Sequence, residues 1–377
     1  MKKFINFNNA GASFPFPKVN KSIINYLQEE EKFGGYYCAE IYKKQLSGFY
    51  INLSKLINSQ EREISFVPNS TYGWNLFFNS LNLKKKDNVI ICDNEYGSNY
   101  ISIKKSNISF NKTFIDKNGQ VSIDDLGKRI NKNTKVVFLC HIASQNGNVI
   151  CIEKVGSFLR NKFPEVLFVV DACQSIGQVD VDVKKIKCHA LVGSGRKYLR
   201  GPRGTGFIFV KSDVQKKIVP FLLDMHNAKV YKNKILNKKT HIFETFEYSP
   251  AMKIAFSESI ASINRLGIVK LQNKIKGLSF YLRKKLSNKN HVKFFENQSY
   301  LSGINTLIIK NFDTNMIYSY LLKKKVLTSI STKHTSFDYF KKINVNNVLR
   351  VSFHYYNTYK EIDYFCECIS NFVDVHS

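Results

Sequence analysis

Val166-Leu167-Phe168-Val169-Val170-Asp171 is apolar at five successive positions and ends in a carboxylate. A strand covered on one face alternates apolar and polar residues, whereas one covered on both faces reads as an unbroken apolar run. The stretch therefore predicts an inner strand of a parallel sheet. Asn88-Val89-Ile90-Ile91-Cys92 and Lys135-Val136-Val137-Phe138-Leu139-Cys140 repeat the pattern upstream. Ala190-Leu191-Val192-Gly193 and Gly206-Phe207-Ile208-Phe209-Val210 repeat it downstream. Ile64-Ser65-Phe66-Val67 is a further strand, running into Asn69-Ser70-Thr71 and a helical pattern from Tyr72 to Phe78. Apolar residues at helical spacing fill residues 154–163 and stop before Pro164. Strands alternating with helices predict an α/β fold with a mostly parallel sheet.

The texture changes near residue 250. A helical pattern from Ala251 to Leu266 leads on through Gly267 to Lys285. Leu307-Ile308-Ile309 and Val348-Leu349-Arg350-Val351-Ser352-Phe353 read as strands, and Thr358 to Phe372 as a closing helix. The expected organisation is a large domain over residues 19–248 and a smaller α+β domain built from 1–18 and 249–377.

Composition bounds the rest. With 377 residues, 44% apolar and 7 Pro, the chain is too apolar to stay disordered. No apolar run reaches the length of a membrane span. Met1 to Asn9 lacks an apolar core and a small-residue cleavage site, so a cytoplasmic protein is expected. The net charge of +28 comes from 57 Lys+Arg against 29 Asp+Glu. The lysines are scattered among many Asn, Ile, Phe and Tyr, and no nucleic-acid-binding motif accompanies them. Neither a nucleic-acid nor a membrane partner is expected. The eight cysteines show no CxxC and no zinc spacing, which points to reduced thiols and no metal.

Ligands of open parallel sheets sit beyond the carboxyl ends of the strands. Polar residues follow those ends here. Asp171 closes its strand, Ser144-Gln145-Asn146-Gly147 follows the strand ending in Cys140, and Asn69-Ser70-Thr71 opens a helix. A helix opening offers backbone N–H groups to a phosphate. The basic, glycine-rich run from Gly193 to Gly206 contains Ser194-Gly195-Arg196-Lys197. It has the glycine spacing of neither a dinucleotide fingerprint nor a P-loop.

A strand-terminal Asp171, Gln174 three residues on, and Ser194-Gly195-Arg196-Lys197 with the lysine 26 residues beyond the aspartate jointly resemble the class V aminotransferase family. These are pyridoxal-phosphate (PLP) enzymes of fold type I and include the cysteine desulfurases. The resemblance extends from Asn8-Asn9-Ala10-Gly11 to Arg350. It implies that Lys197 binds PLP covalently and shuttles the substrate Cα proton. It implies that Asp171 keeps the ring nitrogen protonated, that Gln174, with Ser144 or Gln145, serves the ring hydroxyl edge, and that Tyr96 stacks on the ring. Ser70, Thr71, Ser194 and Arg196 would hold the phosphate; Arg196 stands where relatives of the desulfurases carry His. Arg350 would clamp the substrate carboxylate, and Asn9 and Tyr36 would lie on the substrate side. A homodimer is implied, with residues 243–247 directed across its interface.

PLP stabilises a Cα carbanion whatever the substrate's fate, so the cofactor does not name the reaction. Desulfurases need a mobile thiolate shortly before the arginine matching Arg350. Residues 327–337 contain no Cys. The early Asn8-Asn9-Ala10-Gly11-Ala12-Ser13 and the glycine-rich run look most similar to the branch containing hercynylcysteine sulfoxide lyase. The expected reaction is C–S β-elimination on a cysteine-derived amino acid, giving pyruvate and ammonia, with His334 a candidate proton donor. An aminotransferase or an epimerase acting in a secondary-metabolite pathway stays open as an alternative.

Overall fold

The computed structural model describes residues 4–376. The apolar runs assemble into one seven-stranded sheet. Its order is Ile64–Val67, Gly206–Val210, Ala190–Ser194, Leu167–Asp171, Thr134–Cys140, Asn88–Cys92 and Ser109–Thr113. The last five pair in parallel, and Gly206–Val210 runs against both of its neighbours. Successive side chains of a strand point to opposite faces. Accordingly Phe168 and Val170 join a layer with Phe49, Phe207 and Phe256. Val169 joins the opposite layer with Trp74, Phe77, Phe138 and Ile208. Two-sided burial is what the unbroken runs encode. The edge strand Ser109–Thr113 is half exposed, and its sequence SFNKT carries no such run.

A second, antiparallel sheet has the order Val292–Phe294, Ile304–Ile309, Asn347–Ser352, Ser329–Thr332. The N-terminal strand Ile5–Asn6 pairs in parallel with Val326–Leu327, which brings the first residues of the chain beside this smaller sheet. Helices Ile268–Leu286 and Tyr359–His376 cover it around Phe7, Leu278, Leu307, Phe353 and Phe365.

Gly267, at φ +81°, divides the helical pattern after residue 250 into two helices, Pro250–Leu266 and Ile268–Leu286. A residue with a side chain disfavours that backbone region. Helix Pro250–Leu266, grouped with the smaller unit on sequence, packs against helices Pro17–Phe33 and Lys43–Ile57. An exposed hairpin, Ala228–Tyr231 with Lys234–Asn237, turns through Lys232 and Asn233 at positive φ. All eight cysteines are free. Among the described residues no helix is long and apolar enough to cross a membrane.

Candidate active site

Strands that run the same way end at the same edge of the sheet, and their ends converge on one cavity. Ile64–Val67 leads to Pro68, Asn69, Ser70 and Thr71; Asn88–Cys92 leads to Tyr96; Thr134–Cys140 leads to Cys140, Ile142 and Ser144. Leu167–Asp171 supplies Asp171, Cys173 and Gln174, and Ala190–Ser194 supplies Ser194, Arg196 and Lys197. The reversed strand contributes Gly204 and Thr205 from its entry. The walls thus gather Ser70, Thr71, Tyr96, Ser144, Asp171, Gln174, Ser194, Arg196 and Lys197 from five separate segments.

One end of the cavity is built for an anion. Asn69 caps helix Ser70–Ser80, accepting from the Tyr72 N–H at 2.9 Å. Gly206 permits this approach: a Cβ there would stand 2.8 Å from Asn69 Cα. The Ser194 hydroxyl lies 3.1 Å from that of Ser70, which lies 3.0 Å from Cys173 Sγ. Arg196 donates to the Gly11 carbonyl and stands in the same wall. A helix opening, two hydroxyls and a guanidinium suit a phosphate.

The other end carries a carboxylate and an amine. Asp171 Oδ1 accepts from the Cys173 N–H at 2.9 Å, and Oδ2 from Asn99 Nδ2 at 3.2 Å. Burial pushes this carboxyl above the usual carboxylate range, and the Lys197 charge only partly offsets it. An aspartate so placed gains from a cationic N–H partner. Lys197 is 8% exposed and projects into the same cavity. Gln174 gives its amide N–H to the Ala10 carbonyl at 3.2 Å, and its buried Oε1 has no partner. An unpartnered buried polar atom on a cavity wall marks a place for a ligand group. These residues fit PLP: an anion cradle, a carboxylate for the ring nitrogen and a lysine amine line one cavity.

Arg350 lies beside the cavity rather than in its wall. It donates through Nε to Ser329 Oγ at 3.0 Å, through Nη1 to the Ser144 carbonyl at 3.1 Å and through Nη2 to Asn8 Oδ1 at 3.4 Å. Burial lowers its pKa to about 10, so it stays cationic near neutral pH.

Two expected residues are not brought to the cavity. Asn9 is fully buried and spends its side chain on the Ser352 carbonyl at 2.8 Å, on Asn357 and on the Tyr356 hydroxyl. It ties the N-terminal segment to the small sheet; its neighbour Asn8 is the one that meets Arg350. Tyr36 is 85% exposed on the short helix Gly35–Ile41, which starts after Gly34 at φ +73°. Gln145 donates to the Asn94 carbonyl at 2.8 Å and is not in the wall, whereas Ser144 is. His334 is exposed on the segment that crosses Tyr96-Gly97, where the Gly97 N–H donates to the Thr335 carbonyl at 2.9 Å.

Within residues 243–247, Glu244 turns inward. It accepts from the Tyr50 hydroxyl at 2.7 Å and from the Phe66 N–H at 2.6 Å, and it pairs with Lys253 at 3.3 Å. Glu95 and Asn99, behind Asp171, escaped the sequence reading. Their signal was a buried carboxylate and an amide four residues apart, which one sequence does not separate from a helix start.

A profile of the class-V aminotransferase family matches residues 5–365. A probable cysteine desulfurase of Methanothermobacter thermautotrophicus is 26% identical over 314 residues, spanning 81% of this chain and 78% of that one. The apo cysteine desulfurase of Thermococcus onnurineus superposes with a TM-score of 0.90 at 21% identity, over 98% of this chain and 95% of that one. The enzyme C-DES, described as a cystine C–S lyase, superposes at 0.87 with 16% identity, over 97% and 96%. Another C-DES structure holds glycine covalently linked to its PLP cofactor. With the family profile spanning nearly its whole length, the sheet order above and a cavity that fits the cofactor, the chain belongs to the class-V aminotransferases, PLP-dependent enzymes of fold type I.

Proposed function

We propose that this enzyme is a C–S lyase that performs β-elimination on a cysteine-derived amino acid, with a sulfoxide or similarly good sulfur leaving group, releasing pyruvate and ammonia. One observation carries the reading. Residues 327–337 hold no cysteine, although they occupy the approach to Arg350 and cross Tyr96-Gly97. A sulfur group that departs by itself requires no attacking thiolate.

PLP, when bound, supplies the electron sink that stabilises a carbanion at Cα. The protein does the remainder. Ser70, Thr71, Ser194, Arg196 and the opening of helix Ser70–Ser80 hold the phosphate. Asp171 would hold the protonated ring nitrogen, Tyr96 would lie against the ring, and Gln174 and Ser144 would meet its polar groups. Arg350 receives the substrate carboxylate, exchanging its contacts to neutral oxygens for a charge-assisted pair. Lys197 Nζ then takes the Cα proton. The Cβ–S bond breaks with its electron pair leaving on sulfur, and water completes the release of pyruvate and ammonia.

A cysteine desulfurase is the second reading. It is favoured by the names of relatives such as the Methanothermobacter protein, and by Cys173 in the cavity wall. The two part at the products, since elimination yields pyruvate whereas desulfuration yields alanine and sulfane sulfur.

We further place the protein in the cytoplasm as a homodimer. Tyr36, Tyr37 and Ile41 on one short helix, with Val230, Tyr231 and Ile235 on the hairpin, are exposed apolar side chains that support self-association.

A further inference from the structure

Behind Asp171 lies a second buried carboxylate that the reaction above does not use. Glu95 is 4% exposed and Asn99 1%. Asn99 Nδ2 donates one hydrogen to Glu95 Oε1 at 2.9 Å and the other to Asp171 Oδ2 at 3.2 Å, so a single amide bridges two carboxylates. Glu95 Oε1 also accepts from the Tyr96 N–H at 3.0 Å and from Cys140 Sγ at 3.4 Å. Its Oε2 is buried without a partner. Among the described residues no Lys, Arg or His forms an ion pair with it within 4.0 Å.

An ionised carboxylate would leave half its charge on that dry, unpartnered oxygen, which is costly. A neutral acid places its proton there and keeps Oε1 as the acceptor of three donors. The groups facing Glu95 reinforce this. Asp171 on strand Leu167–Asp171 is negative, while Cys140 on Thr134–Cys140 and Cys92 on Asn88–Cys92 are thiols held neutral by burial. Lys197 lines the cavity with Asp171, and Glu95 is not in that wall. Desolvation, followed by the charge of Asp171, pushes Glu95 up to about 7 against the pull of its hydrogen bonds.

We propose that Glu95 and Asn99 are positioning residues for the cofactor: neutral Glu95 orients Asn99, whose second hydrogen fixes Asp171, leaving Asp171 as the one anionic group for the ring nitrogen. The same carboxyl, through the Tyr96 N–H, ties the ring-covering tyrosine to the ring-nitrogen carboxylate. The inference rests on the reading that Asp171 meets that nitrogen.

The test titrates apo-protein with PLP and reads the dissociation constant, with circular dichroism confirming that each variant is folded. Asp171→Ala is the reference and loses affinity by about 100-fold, the upper worth of a charged hydrogen bond. Asn99→Leu and Glu95→Leu each weaken binding about tenfold, the worth of one buried hydrogen bond. Glu95→Gln keeps the acceptor oxygen and places an uncharged NH2 at the unpartnered position, so it stays within about threefold of the parent. Parent-like binding by Asn99→Leu and Glu95→Leu, with Asp171→Ala impaired, overturns the proposal alone. Glu95→Gln as weak as Glu95→Leu overturns the neutral form. Unchanged binding by Asp171→Ala removes the reading beneath, and the proposal with it. An infrared difference spectrum of the apo parent minus Glu95→Gln at mildly acidic pH covers the case in which the leucine variants do not fold. A protonated-carboxyl stretch lost in the variant supports the proposal, and a carboxylate band in its place overturns it.

Discussion

Arg350 Nη1 donates to the Ser144 carbonyl at 3.1 Å, joining the centre of the small sheet to a loop at the carboxyl edge of the large one. The arginine is held by three neutral oxygens, so its charge is unspent and ready for a carboxylate. Arg350→Ala should raise KM for amino acids on the order of 10- to 100-fold, the worth of a charged hydrogen-bonded pair. The PLP dissociation constant of the apo-protein should stay within a few-fold. Steady-state kinetics and cofactor titration check the two halves separately.

A Cβ on Gly97 would stand 2.3 Å from the His334 carbonyl oxygen. Backbone cannot yield as a flexible side chain can, so segment 332–336 sits on the Tyr96 loop only because residue 97 is glycine. Gly97→Ala should cost about 1–3 kcal/mol in urea unfolding. Limited proteolysis should cut near 332–336 faster than in the parent.

Lys253 and Glu244 form a buried pair at 3.3 Å, with side chains 4% and 5% exposed. Burial pulls the lysine's pKa down, and Glu244 counters it. Lys253→Met leaves Glu244 buried without a cation and should destabilise by about 3–5 kcal/mol. Adding Glu244→Gln should recover much of that loss, since replacing both charges is far cheaper than removing one. Equilibrium denaturation of the single and double variants reads the difference.

Acidification should weaken the fold. His141, His189 and His354 are buried, with values lowered to about 3, 4 and 3 by desolvation. The Phe168 N–H donates to His189 Nδ1 and the Tyr355 N–H to His354 Nδ1, both at 2.8 Å, which suits neutral rings. Below the ordinary value near 6.5, the unfolded chain takes up these protons and the folded chain does not, so stability falls with pH. Glu95, raised to about 7, acts oppositely: the folded state protonates it first, and stability grows on acidification. His226, also lowered by burial, adds to the loss, and Asp171, raised by burial, to the gain; four histidines against two carboxyls leave a net loss. The urea midpoint should be lower at about pH 5 than at about pH 7.

Much of the large sheet could be read from its apolar runs, because two-sided burial leaves a local mark at 88–92, 167–171 and 206–210. The strands Ser109–Thr113 and Val292–Phe294 are only partly buried, and their sequences show no such pattern. The cavity wall was legible where a polar residue directly follows a strand, as Asp171 and Ser194-Gly195-Arg196-Lys197 do. Asn9 and Tyr36 could not be placed that way. Whether Asn8 or its neighbour faces Arg350 depends on how Asn8 bridges to Ser352, a contact between residues more than 300 positions apart. Glu95 and Asn99 became visible only once the fold put them behind Asp171.

The most direct test gives the PLP-loaded protein an S-substituted cysteine sulfoxide and measures pyruvate, ammonia, alanine and sulfane sulfur together. Pyruvate and ammonia should appear in equal amounts. Lys197→Ala should give neither and should also lose the visible absorption of lysine-bound cofactor. Alanine with sulfane sulfur and no pyruvate, or conversion of the cofactor to its pyridoxamine form, would contradict β-elimination.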